Sequence, residues 1–100
     1  YARLKNGVEA AAVDAAYEEA YAQEYFVRLL GRGGYPTTKA VRGSNFCDLG
    51  WHVDLRTRRV VALSAIDNLV KGAAGQAVQN MNVLFNLPEK TGLELSPVYP

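Results

Sequence analysis

The chain has 100 residues, enough for one small domain that buries about 60–70 % of the surface its unfolded form exposes. Its composition is 49 % apolar and 21 % charged with a net charge of +1, which gives no electrostatic case for nucleic acid or for an anionic membrane as a partner. Its one cysteine, Cys47, cannot form a disulfide within the chain, which fits a reducing compartment such as the cytoplasm. No apolar run approaches the roughly 20 residues of a membrane-spanning helix.

In chain order, residues 1–4 read as the tail of a strand that began earlier, as expected of a piece of something larger. Asn6-Gly7 is a turn signal. "VEAAAVDAAYEEAYAQE" predicts an amphipathic helix over about residues 8–23, with Val13, Ala16, Tyr17, Ala20 and Tyr21 on one face and Glu9, Asp14, Glu18 and Glu19 towards water. "YFVRLL", residues 25–30, is short and rich in aromatic and branched residues, so it predicts a strand. "GRGGYP" then makes a surface loop.

"TKAVRG", residues 38–43, predicts a short strand closed by Gly43. "DLGWHVDL" alternates, with Leu49, Trp51 and Val53 on one face and Asp48, Gly50, His52 and Asp54 on the other. A polar hairpin turn, "LRTRR", leads into "VVALSAI", residues 60–66, whose apolar character on both faces predicts a central strand buried on both sides. A second helix is expected from about residues 70–72 to 85, with Ala74, Ala77, Val78, Met81, Leu84 and Phe85 as its apolar face; Asn86 and Pro88 stop it. The tail to residue 100 holds three of the four prolines and reads as an extended segment lying on something. The predicted class is α+β, with a mainly antiparallel sheet and two helices.

Chemistry is sparse. One His and one Cys do not make a metal site. Cys47 and His52 lie at i and i+5, so on an extended strand they point to opposite faces about 16 Å apart and do not form a thiol–base pair. Cys47 reads as a packing residue and His52 as a solvated or hydrogen-bonded one. "KGAAGQA" matches neither the dinucleotide-binding nor the P-loop pattern. Its glycines permit a close approach, either of another backbone in helix packing or of a flat ligand. Lys39 and Arg42, with Ser44 and Asn45 just after, form a candidate clamp for a carboxylate or phosphate, or else a charged surface. From the residues alone the chain is an α+β domain with a close-approach surface around residues 67–76 and no complete catalytic site.

"SAIDNLVKGAAGQAVQNMN", residues 64–82, sits within residues 38–93, and with the earlier "YAQEYFVRLL" this span resembles the C-terminal portion of the N-acetyl-gamma-glutamyl-phosphate reductase family. The likeness covers essentially the entire chain, and the aspartate-semialdehyde dehydrogenases carry a looser version of it. The resemblance implies NADPH-dependent reduction of N-acetyl-glutamyl phosphate to the semialdehyde in arginine biosynthesis. It also implies an α+β catalytic and dimerisation domain like that of glyceraldehyde-3-phosphate dehydrogenase, paired with a Rossmann NADP-binding domain. The family's cysteine nucleophile, in an Asn-Pro-Gly-Cys motif, and its histidine, in a His-…-Arg-Gly motif, are both missing from these residues, so no catalytic residue is expected here and the segment alone should be inactive.

By the same resemblance Asp67, Asn68, Lys71 and Gly72 belong to the cofactor site. The Asp-Asn turn brings the last helix, within residues 70–100, back against the nucleotide domain. Asn68 is expected to bond the carboxamide of the nicotinamide, because an amide donates and accepts at once. Gly72, Ala73 and Gly75 are expected to let the helix lie close, and Lys71 to meet a phosphate. Lys39, Arg42, Ser44 and Asn45 are expected to line the edge of the substrate pocket. The implied partners are the acyl-phosphate substrate, the enzyme's own Rossmann domain and a second copy of the chain; no nucleic acid or membrane is implied. A cytoplasmic setting is expected, or a plastid in a plant. Two alternatives remain: the lysine-pathway relative that reduces an amino-adipyl phosphate, and a non-catalytic dimerisation or interaction domain.

Overall fold

A computed structural model describes residues 1–98. In chain order it has β1 (Ala2–Arg3), α1 (Ala10–Tyr21), β2 (Val27–Arg32), α2 (Thr38–Val41), β3 (Cys47–Asp54), β4 (Arg59–Ile66), a π-helical turn (Val70–Ala74) and α3 (Gly75–Leu84). The class is α+β, as the sequence predicts. The four strands form one sheet in the order β1-β4-β3-β2. The sheet is mixed: β1 and β3 run antiparallel to β4, but β2 runs parallel to β3. A parallel pair needs a crossover, and residues 33–46, with α2 among them, provide it.

Residues 38–43 are the clearest departure from the expected elements, since a helix replaces the predicted strand. The reason is local. Thr37 is extended, and its hydroxyl accepts a hydrogen bond from the Ala40 N–H, making an N-cap. Arg28 closes the other end by donating to the Ala40 carbonyl. The strand predicted at 25–30 forms two residues later, because residues 24–26 turn before the sheet begins.

Alternation in β3 puts Trp51 under α1. Its indole is 1 % exposed, stacks on Tyr17 with ring centres 4.2 Å apart, and donates to Asp14 at 2.8 Å. Asp14 therefore turns inward to the sheet, pairing also with Arg32, where the helical pattern placed it towards water. Val13, Trp51 and Val60 are the centre of this core, with Leu4, Val8, Leu29 and Val53 around them. On the other face Gly50 takes the Gly34 carbonyl directly against its Cα, a contact that no Cβ would allow.

The hairpin between β3 and β4 forms as predicted, with Asp54 accepting from the N–H groups of Arg56 and Thr57. β4 is interior to the sheet, but it is not buried on both sides. Ala62, Ser64 and Ile66 are exposed, because α1 packs towards β2 and leaves that end of β4 uncovered. The last helix also differs from its expected packing. Gly75 and Asn82 are its buried residues, while Met81, Leu84 and Phe85 stand in solvent. Asn82 donates to the carbonyls of Glu89 and Thr91 and so folds the tail back. The tail then buries Leu93, and the Val98 N–H reaches the Arg42 carbonyl. The expected extended tail runs on to residues 99 and 100, which lie outside the described residues.

Candidate functional site

At the end of β4 the chain must reverse, and Asp67 organises the reversal. Its Oδ1 accepts from the N–H groups of Leu69 and Val70 at 2.8 and 2.9 Å, and its Oδ2 accepts from the Gly43 N–H at 2.8 Å. These three donors, chiefly Gly43, with a smaller contribution from the charge of Arg42, hold the Asp67 carboxyl below the usual carboxylate range. Both oxygens are thus occupied by the fold. Asn68, next in sequence, is exposed.

The Gly43–Asp67 bond brings together two groups that the sequence placed separately. Lys39 and Arg42, from α2 and the residue after it, share one cleft of about 410 Å³ with Asp67 and Asn68; Thr38 and Ile66 complete its lining. One wall carries two cations. The other carries an exposed side-chain amide. Thr38 and Ile66 were not singled out in the sequence, although each adjoins a residue that was.

The remaining candidates fall elsewhere. The Lys71 ammonium points inward, donating to Gln79 Oε1 at 2.6 Å and lying 5.7 Å from the centre of the Phe26 ring. Gly72 leaves room beside Asn68, and a methyl group there would make only ordinary contacts, from 3.4 Å outwards. The close approach is at Gly75, where a Cβ would collide with Asn45 Oδ1 and with the Val70 carbonyl at 2.6 Å. Ser44 and Asn45 are 0 % and 1 % exposed. The Ser44 hydroxyl donates to the Val41 carbonyl, and the Asn45 amide donates to Gln79. Neither lines the cleft: Ser44 turns back on the end of α2, and Asn45 packs against α3 at Gly75 and Gln79.

Burial pushes the Cys47 thiol up, offset in part by the Lys71 charge. His52 lies on the opposite face of β3, against the Tyr35 ring at 4.5 Å. Among the described residues no group of three His, Cys, Asp or Glu side chains can hold a metal. No helix among them is long and apolar enough to cross a membrane.

The chain belongs to the semialdehyde dehydrogenase dimerisation-domain family, whose model matches residues 1–68. That span ends on Asn68, at the rim of the cleft. More particularly, the chain is similar over all 100 residues to proteins named N-acetyl-gamma-glutamyl-phosphate reductase. It is 58 % identical to that of Brevibacillus brevis, 58 % to that of a Geobacter species and 52 % to that of a Thermoanaerobacter species. It spans 29 % of the length of each of these relatives.

Proposed function

We propose that the chain is the C-terminal segment of an NADP-dependent reductase that converts N-acetyl-glutamyl phosphate to N-acetyl-glutamate semialdehyde, working in the cytoplasm as a homo-oligomer. The observation that carries this is the similarity of all 100 residues to reductases of that name, at 52–58 % identity in the three relatives above. The cleft fits the assignment. An exposed amide beside two cations suits a neutral carboxamide next to an anionic acyl phosphate.

In this assignment Asn68 holds the nicotinamide carboxamide, and Asp67 keeps Asn68 in place by fixing the turn. Lys39 and Arg42 hold the negative charge of the acyl phosphate. Gly75 lets the last helix lie against the chain instead of across the cleft. When bound, NADPH supplies the hydride. The thiol nucleophile and the acid/base come from residues outside this segment, so the segment alone does not turn over. The exposed Met81 and Leu84 of α3, with Phe85 at its C-terminal cap, are where the nucleotide domain would pack.

The test is the oxidation of NADPH by the full-length protein, with N-acetyl-glutamyl phosphate and with the amino-adipyl phosphate one methylene longer. Faster turnover of the glutamyl compound is expected. A preference for the longer substrate would assign the lysine-pathway reaction. No turnover of either, with both cofactor and substrate bound, would leave a dimerisation domain that has lost catalysis.

A further inference from the structure

Beneath the cleft lies a polar side-chain network that the assigned roles do not use. Gln79, in the middle of α3, is its hub. Its Oε1 accepts two hydrogen bonds, from Asn45 Nδ2 at 3.0 Å and from Lys71 Nζ at 2.6 Å, and its Nε2 donates to Glu89 at 2.6 Å. Asn45 is continuous with the segment that carries Lys39 and Arg42. Lys71 belongs to the π-helical turn that follows Asn68. The single oxygen of Gln79 therefore joins the two walls from below, as the Gly43–Asp67 bond joins them at the rim. The joint is tight: Asn45 Oδ1 is buried without a hydrogen-bond partner and is pressed against Gly75.

We infer that Gln79 is a positioning residue, whose side-chain oxygen sets the spacing between the cofactor wall at Asn68 and the anion-binding wall at Lys39 and Arg42. The inference rests on the assignment of that cleft as the reductase site. Gln79 touches neither ligand, so each ligand should bind nearly as well without it. What should suffer is their mutual alignment, where a displacement of about 1 Å costs on the order of 100-fold in rate.

The experiment measures kcat and, separately, cofactor affinity and stoichiometry by fluorescence titration of the full-length protein without substrate. Gln79→Leu removes the shared acceptor. It should lower kcat by about 10–100-fold while the cofactor dissociation constant moves less than about threefold and stoichiometry stays at one per subunit. Gln79→Glu combined with Glu89→Gln keeps an oxygen for both Asn45 and Lys71 and lets the new amide at position 89 donate across the contact that Gln79 Nε2 now makes, so the kcat of this double variant should stay within about threefold of wild type. If Gln79→Leu does not fold, Asn45→Ala cuts the same link from the other wall and is read by the same split. A fall in kcat matched by an equal loss of cofactor-binding sites in both Gln79→Leu and Asn45→Ala would overturn the inference, since that marks unfolding alone, as would an unchanged kcat in an active protein. An inactive wild type would remove the assignment of the cleft, and the inference with it.

Discussion

At the scale of single residues, the Asp67–Asn68 turn divides its labour between an inward carboxylate and an outward amide. Backbone N–H donors, chiefly Gly43, hold the Asp67 carboxyl below the ordinary carboxylate range. Its bonds to Gly43, Leu69 and Val70 therefore stabilise the fold at all pH values above that range, and that contribution is lost as the pH falls through the folded value. Asp67→Asn should melt below wild type at pH 7, and the gap should close as the pH falls below the ordinary carboxylate range, a comparison that thermal melts from neutral to acidic pH will make. Gly75→Ala forces a methyl group onto Asn45 Oδ1 and the Val70 carbonyl, and should cost about 1–3 kcal/mol by urea unfolding. The same change at Gly72 meets only ordinary contacts and should be much milder. Sequence alone marked both glycines for a close approach and gave only Gly72 to the cofactor site. Their difference depends on where Asn45 lies, and that is set by a turn far away in the chain.

At the scale of elements, the strands β3 and β4 and the helix α1 were legible because their apolar periodicities are long enough to choose one geometry. Trp51 was assigned to the right face of its strand, but its partner Asp14 was not foreseen, since a carboxylate on a helix usually faces water. Asp14→Ala should leave the indole N–H without a partner and cost about 1–3 kcal/mol, measurable by urea unfolding. Residues 38–41 misled because four residues carry no usable periodicity, so the cap at Thr37 and the bond from Arg28 decide the conformation. The start of the last helix was also only half legible. The turn capped by Asp67 opens into a π-helical turn in which the Gly72 and Ala74 N–H groups reach back to the Asp67 and Leu69 carbonyls. Wider turns of this kind recur at functional sites.

At the scale of the whole molecule, the chain leaves unfinished surfaces. One end of β4 is uncovered, and α3 buries Gly75 and Asn82 while Leu84 and Phe85 remain 75 % and 67 % exposed. The sequence showed that the helix had an apolar face, but not that its glycine-and-amide side would be the one packed inward. Isolated, the segment should associate as its concentration rises in sedimentation velocity, and Leu84→Glu with Phe85→Glu should weaken that association. The site was legible as residues but not as a place. Lys39, Arg42, Asp67 and Asn68 were each singled out, yet only the fold puts them around one cleft, while Ser44, Asn45 and Lys71 turn out to face its interior supports.

The most direct test of the cleft as a reductase site is the rate of NADPH oxidation by the full-length protein supplied with N-acetyl-glutamyl phosphate, compared between wild type and Asn68→Ala. Loss of an oriented amide at the reacting ring should lower kcat/KM by about 10–100-fold while the melting temperature holds, because Asn68 is exposed. Equal rates in the two proteins would contradict the role of Asn68, and no oxidation by the wild type would contradict the assignment of the cleft itself.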